Sequence, residues 1–329
     1  MPATQPLRMK LVLIRGLGQL GDFGLFAPPV IFLLGLLVAP LALLGQAMLI
    51  PCVIILQAMS VGVAEPGRIH AREWPPVLLL AGCNLLLSPL LVHGLALALG
   101  LDEASGWLVL VAACPASGGA VLVASLLRLP VRPLLLTQLL CFFALPITAP
   151  LVAALMLDGT VIDPLALLWR VMLMVALPAL LGHLLCRVMG ERRRAAMARP
   201  MRGLGVLALC GITLSIAAGL PRLAMTPALL GDALLGLVLA SLVGVALGVV
   251  VAGVAARGLA ASFALGGAVR NVSLLWSATI GLAPPEGELV MMLGTLWTLL
   301  LPALLGMLHG RPWEMARALA LALAAVILL

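Results

Sequence analysis

Long apolar runs carrying almost no charge alternate with short polar segments along the whole chain. About 20 apolar residues are needed to cross the hydrocarbon core of a bilayer as a helix. No charged residue falls between Asp22 and Glu65, which leaves room for two spans divided near residues 40–45. Further charge-free runs occupy residues 74–101, 104–127, 133–157, 203–221, 233–256 and 289–308. Residues 164–186 and 258–285 are also long enough, each with one internal arginine, Arg170 and Arg270. The pattern predicts an all-α integral membrane protein with ten transmembrane helices. The shorter apolar stretch after Pro312 is expected at the interface or as a partial extra helix.

Composition points the same way. Hydrophobic residues make up 64% of the 329 positions, charged residues 9%, and mean hydropathy is +1.26. Soluble domains carry about 25% charged residues, so this chain cannot cover its surface for water and the bilayer is its expected partner. The net charge of +7 is spread beside apolar spans rather than gathered into a nucleic-acid footprint, so no nucleic acid is expected. The six cysteines all lie in apolar stretches, which implies no disulfide framework.

Charge also sets orientation. With ten spans and the N-terminus inside, cytoplasmic segments hold 16 of the 19 Lys and Arg residues, including Arg187, Arg192, Arg193, Arg194, Arg199 and Arg202. The outer loops hold Arg222 against seven acids, from Asp102 to Glu288. That bias predicts a multi-pass protein of the plasma (inner) membrane with both termini cytoplasmic. Residues 1–22 read as a cytoplasmic lead-in rather than a cleaved signal, residues 23–157 as a first five-helix half and 158–308 as a second, with 309–329 as the tail.

Five is odd, so the second half enters the membrane from the opposite side and any repeat between the halves is inverted. The fourth span of the first half contains Cys114-Pro115-Ala116-Ser117-Gly118-Gly119, and that of the second contains Gly266-Gly267-Ala268-Val269-Arg270-Asn271. Matched Gly or Pro interruptions in two halves point to a transporter's binding site. An interrupted helix frees backbone groups that lipid cannot satisfy, so the break must face protein, water or a ligand. Ser117 is expected to cap a half-helix beginning near Gly118, and Asn271 one beginning near Val272. Both would aim positive dipole ends at the middle of the protein, which favours an anion.

At these residues the sequence resembles the bile acid:sodium symporter family, a likeness covering about residues 23–308. The fourth span is similar to the family's Cys-Pro-Gly-Gly-x-x-Ser-Asn break, the ninth to its acidic-x-Gly-x-Gln-Asn break, and Pro146 and Pro150 match in the fifth. The resemblance implies two inverted five-helix repeats forming a core and a panel domain, with helices 4 and 9 broken and crossing. It also implies alternating access for small organic anions, usually with sodium. The departures fall on the sodium ligands: Ala120 and Val121 stand where the family has Ser-Asn, Gly266 replaces the acid, and Arg270 replaces Gln. Asn84 occupies a third-span position where the family often carries Gln. No cofactor, metal site or catalytic residue is expected, and sodium binding is expected to be lost.

Arg270 is the most informative residue, because a charge deep in a span is costly and usually functional. It is expected to replace the sodium charge and to contact the substrate's anionic group, so that removing it leaves the empty protein as stable or more so. The alternative is a structural arginine holding carbonyls of the broken helix. Substrate-binding residues are expected to be Arg270, Asn271, Ser273, Ser117, Gly118, Gly119 and Asn84, with Cys114, Pro115, Gly266 and Gly267 breaking the helices. Arg170, two turns inside its span, is expected to snorkel. Two rival readings are a thiol-dependent arsenite carrier built on Cys114 and an intramembrane serine protease pairing Ser117 with His183.

Overall fold

The computed structural model describes residues 15–20, 26–63, 70–101, 104–118, 120–121, 124, 129–157, 162–223, 226–255 and 257–308. Among them every regular element is helical, as expected of an all-α membrane protein. Five helices are long and apolar enough to cross a bilayer: α4 (Ala71–Ala98), α6 (Arg132–Met156), α7 (Pro164–Gly190), α8 (Ala196–Arg222) and α9 (Pro227–Ala255). At 1.5 Å per residue the shortest, of 25 residues, reaches about 38 Å. The shorter elements are α1 (Ala27–Leu37), α2 (Ala39–Gln46), α3 (Leu49–Val63), α5 (Ser105–Ala112), α10 (Ala260–Ala268) and α11 (Val272–Thr279), followed by α12 (Pro285–Leu308). The tail beyond residue 308 lies outside the described residues.

Prolines start several of these helices rather than end them. They occupy the first turn of α1, α2, α4's α-helical part and α6, where a fixed φ is already helical and the missing N–H has no intrahelical partner to lose. This corrects the expected division near residues 40–45. Pro40 and Gly45 sit inside α2, and the chain leaves helix instead at Val38 (φ −118°, ψ 91°) and in the turn at Ala47 and Met48.

The chain forms two compact units. The first draws its described residues from 15–63, 176–219 and 303–308. Within it, Ser215 Oγ donates to the Gly45 carbonyl at 2.6 Å, and Gly45 presses on the backbone of Leu214 with no room for a Cβ. The second unit comprises residues 65–175 and 220–302 and holds every residue of the candidate site. At its edge Arg132 bridges both oxygens of Glu73, at 2.9 and 3.0 Å, tying the start of α6 to the start of α4.

Inside the second unit, α9 and α10 meet backbone to backbone. Gly244 and Gly248, four residues apart on α9, face Gly267 and Phe263 on α10, and a Cβ on either glycine would overlap an α10 carbonyl. Small residues at this spacing let membrane helices approach closely. Gly267 answers with its own missing side chain: its Cβ would strike the Gly244 backbone.

Candidate functional site

The chain leaves helix at residues 113–117, after α5, and again at residues 269–271, between α10 and α11. The two interruptions are bonded to each other. Ser117 N–H donates to the Val269 carbonyl at 2.9 Å, and Asn271 N–H donates to the Pro115 carbonyl at 2.7 Å. Ala116 and Arg270 thereby form a single antiparallel bridge deep among the helices.

Backbone satisfaction explains why such a structure survives away from water. Pro115 has no N–H to offer the Val111 carbonyl, which is taken by the Cys114 N–H at 3.2 Å instead. The Leu110 carbonyl accepts from the Cys114 thiol at 3.3 Å. At the end of α10, the Gly266 carbonyl accepts from Asn84 Nδ2 and the Ala268 carbonyl from Ser241 Oγ, both at 3.5 Å. Ser241 is held in turn by the Trp297 indole N–H at 2.8 Å.

The third component comes from α4. Its residues Cys83–Leu87 form a π-turn, in which the Ser88 N–H bonds to the Cys83 carbonyl. The Asn84 carbonyl therefore loses its usual donor, and the π-helical donor five residues on would be Pro89, which has none. One buried carbonyl is left without a partner from its own helix. Arg270 takes it.

The Arg270 side chain is 3% exposed. Its Nη1 donates to the Asn84 carbonyl at 3.4 Å and the Cys114 carbonyl at 3.2 Å, and its Nη2 donates to Ser88 Oγ at 2.9 Å. Nε is buried with no partner. Among the described residues no carboxylate pairs with this guanidinium; three neutral oxygens do. They belong to the π-turn of α4, to the residue that follows it and to the interruption after α5, so a single cation ties α4 and α5 to the segment between α10 and α11.

The expected site residues fall as follows. Ser117 caps the next helical stretch, its Oγ accepting the Ala120 N–H at 3.3 Å, and Gly118 is the first helical residue after it. Gly119 lies outside the described residues. Asn84 contributes both its side chain and its carbonyl. Asn271 precedes α11 but does not cap it, which corrects the sequence expectation: its Oδ1 accepts the Ser273 hydroxyl at 3.1 Å instead. Cys114 and Pro115 lie in the first interruption. Gly266 and Gly267 do not form the second, another correction: both are helical within α10, where Gly266 packs on Leu134 and Gly267 on Gly244. The sequence reading missed Ser88, for which the Ser88-Pro89 pair in mid-span was an available signal.

No protein-family model and no curated protein matches the chain.

Arg170 fastens the far end of the same segment. Its Nη1 donates to the carbonyl of Ile280, the residue that closes α11, while the side chain remains exposed. A cation suits a helix C-terminus, where the backbone dipole is negative.

Proposed function

We propose that the protein is a secondary transporter of small organic anions working by alternating access, similar to the bile acid:sodium symporters but without their sodium sites. In this reading the ten spans form two inverted five-helix repeats in the inner membrane with both termini cytoplasmic. The fourth and ninth spans, at residues 104–127 and 258–285, are the two broken elements. The compact units fit a core and a panel, since each draws on both halves of the chain, as an inverted repeat requires.

The observation that carries the proposal is Arg270: a buried cation without a carboxylate, bonded to oxygens freed by irregular backbone. Two carbonyls and a hydroxyl are the kind of ligands a hard alkali cation would take. The guanidinium stands as a resident cation in their midst, which accounts for the missing acid and the Ala120-Val121 pair. The α11 N-terminus and the helical start at Gly118 bring further positive dipole ends to the same place. An anionic substrate group is then attracted by Arg270 at short range in a low dielectric and met by the N–H groups at those helix starts.

Uptake into proteoliposomes tests this directly. Small carboxylates and sulfonates are to be screened as labelled substrates beside their neutral amides. Saturable uptake of at least one anion, with its amide excluded, is the expected result. Arsenite uptake with every organic anion excluded would instead support the thiol carrier.

A further inference from the structure

A second concentration of charge lies in the other compact unit, where α7 gives way to α8. Residues 187–202 contain six arginines and a single acid, Glu191. Arg187, Arg192, Arg193 and Arg202 are all exposed. Gly190 turns the chain here at φ +66° and ψ 165°, a conformation that a side chain would strain. The turn ends α7 at Gly190, between Arg187 and the arginines that follow.

The corner is not an ordinary solvated surface. α7 is long and apolar enough to span a bilayer, and a helix that does so ends at headgroup depth. Flanking Arg187 is an exposed apolar stripe at helical spacing: Leu180, Leu184 and Val188, the last 80% exposed. A further cation joins from the N-terminal segment. A Cβ on Gly18 would stand in van der Waals contact with the Arg199 side chain, and one on Gly203 would overlap the Leu17 carbonyl, so exposed Arg15 sits near the start of α8.

We infer that this corner binds the phosphodiester headgroup of an anionic phospholipid, with Arg187, Arg192 and Arg193 gripping the phosphate and the α7 stripe receiving an acyl chain. Orientation alone needs positive charge on this side of the membrane, but not charge set at the end of an apolar stripe. Arginine's planar fork matches phosphate oxygens in pairs. A bilayer lipid supplies the anion and the chain in one molecule, which free phosphate does not. The inference does not rest on the transport reading and stands or falls separately from it.

Native mass spectrometry of the full chain in micelles doped with phosphatidylglycerol or phosphatidylcholine tests it. Each basic residue near an anionic lipid surface contributes roughly fivefold, so three arginines give a preference for phosphatidylglycerol of roughly a hundredfold. The triple variant R187Q/R192Q/R193Q should lose most of that preference while melting like wild type in phosphatidylcholine. Should the variant fail to fold, wild type in rising salt replaces it: the preference should collapse between about 50 mM and about 0.5 M sodium chloride. Equal retention of both lipids by wild type would overturn the inference. So would a preference that survives the triple substitution or high salt, or displacement of the lipid by millimolar inorganic phosphate.

Discussion

Arg270→Met is expected to lower the melting temperature of the empty protein and to weaken binding of the anionic substrate roughly 10- to 150-fold, the worth of one charge-assisted contact. The sign for the empty protein follows from comparing two terms. Holding a guanidinium at mid-membrane depth costs roughly 2.5–3.5 kcal/mol on the insertion scale, and methionine removes that cost. Methionine also removes three hydrogen bonds from a charged donor, to Asn84 O, Cys114 O and Ser88 Oγ. Each such bond contributes about 1.5–3 kcal/mol, and two of these are long, so together they amount to roughly 4–6 kcal/mol. The bonds win by about 1–3 kcal/mol, or roughly 3–10 °C in melting temperature.

This reverses what the sequence alone leads one to expect for the empty protein. The sequence contains the cost of the buried charge but not the oxygens that offset it, because they reach Arg270 from Asn84, Ser88 and Cys114, between 156 and 186 residues away. Thermal melting of purified Arg270→Met with and without substrate reads both effects at once. A variant that melts above wild type when empty would show that the guanidinium is held against its preference and waits for an anion to relieve it.

Gly244→Leu is expected to have the largest effect on folding of any single change in the second unit. The obstacle is the Gly267 carbonyl of α10, a backbone atom that cannot rotate aside as a side chain would. Overpacking a filled core commonly costs about 1–3 kcal/mol, and Gly244→Ala belongs in that range. Leucine adds three more carbons to the same contact and must separate α9 from α10, which also pulls Val269 and Arg270 from their partners. Loss of monodisperse protein after extraction is the expected outcome. Gly253→Leu is the control, since Gly253 lies on the same helix with nothing within 4 Å of its missing Cβ. If Gly244→Leu melted like Gly253→Leu, the close α9–α10 approach would be wrong.

How far the sequence reaches differs from element to element, and the differences have physical causes. Helices α4 and α6 through α9 are legible because length and apolarity act locally and leave little else for the chain to do. The interruption after α5 is legible for a similar reason: Pro115 removes a donor and Ser117 supplies a cap, both within one turn. The second interruption is legible in place, within the expected residues 266–271 and with the next helix starting at Val272, but not in its cause. Residues Val269 to Asn271 contain no helix breaker, and they leave helix while pairing with Pro115 and Ser117 more than 150 positions away. The nearby glycines mislead, since Gly266 and Gly267 are there to admit Leu134 and the Gly244 backbone. The π-turn of α4 lies between these cases. Pro89 announces a missing donor, but only the fold shows that Arg270 reaches the carbonyl left over.

If a fixed guanidinium does the work of a bound alkali cation, replacing sodium leaves transport unchanged. Initial uptake of whichever anion the proposed transporter takes is to be measured in proteoliposomes with sodium as the external cation and again with choline at the same ionic strength. With Arg270 already bonded to the oxygens a cation would need, the rate should be the same in both media. A steep, saturable dependence on sodium would show that the site still takes the ion and that Arg270 does not replace it.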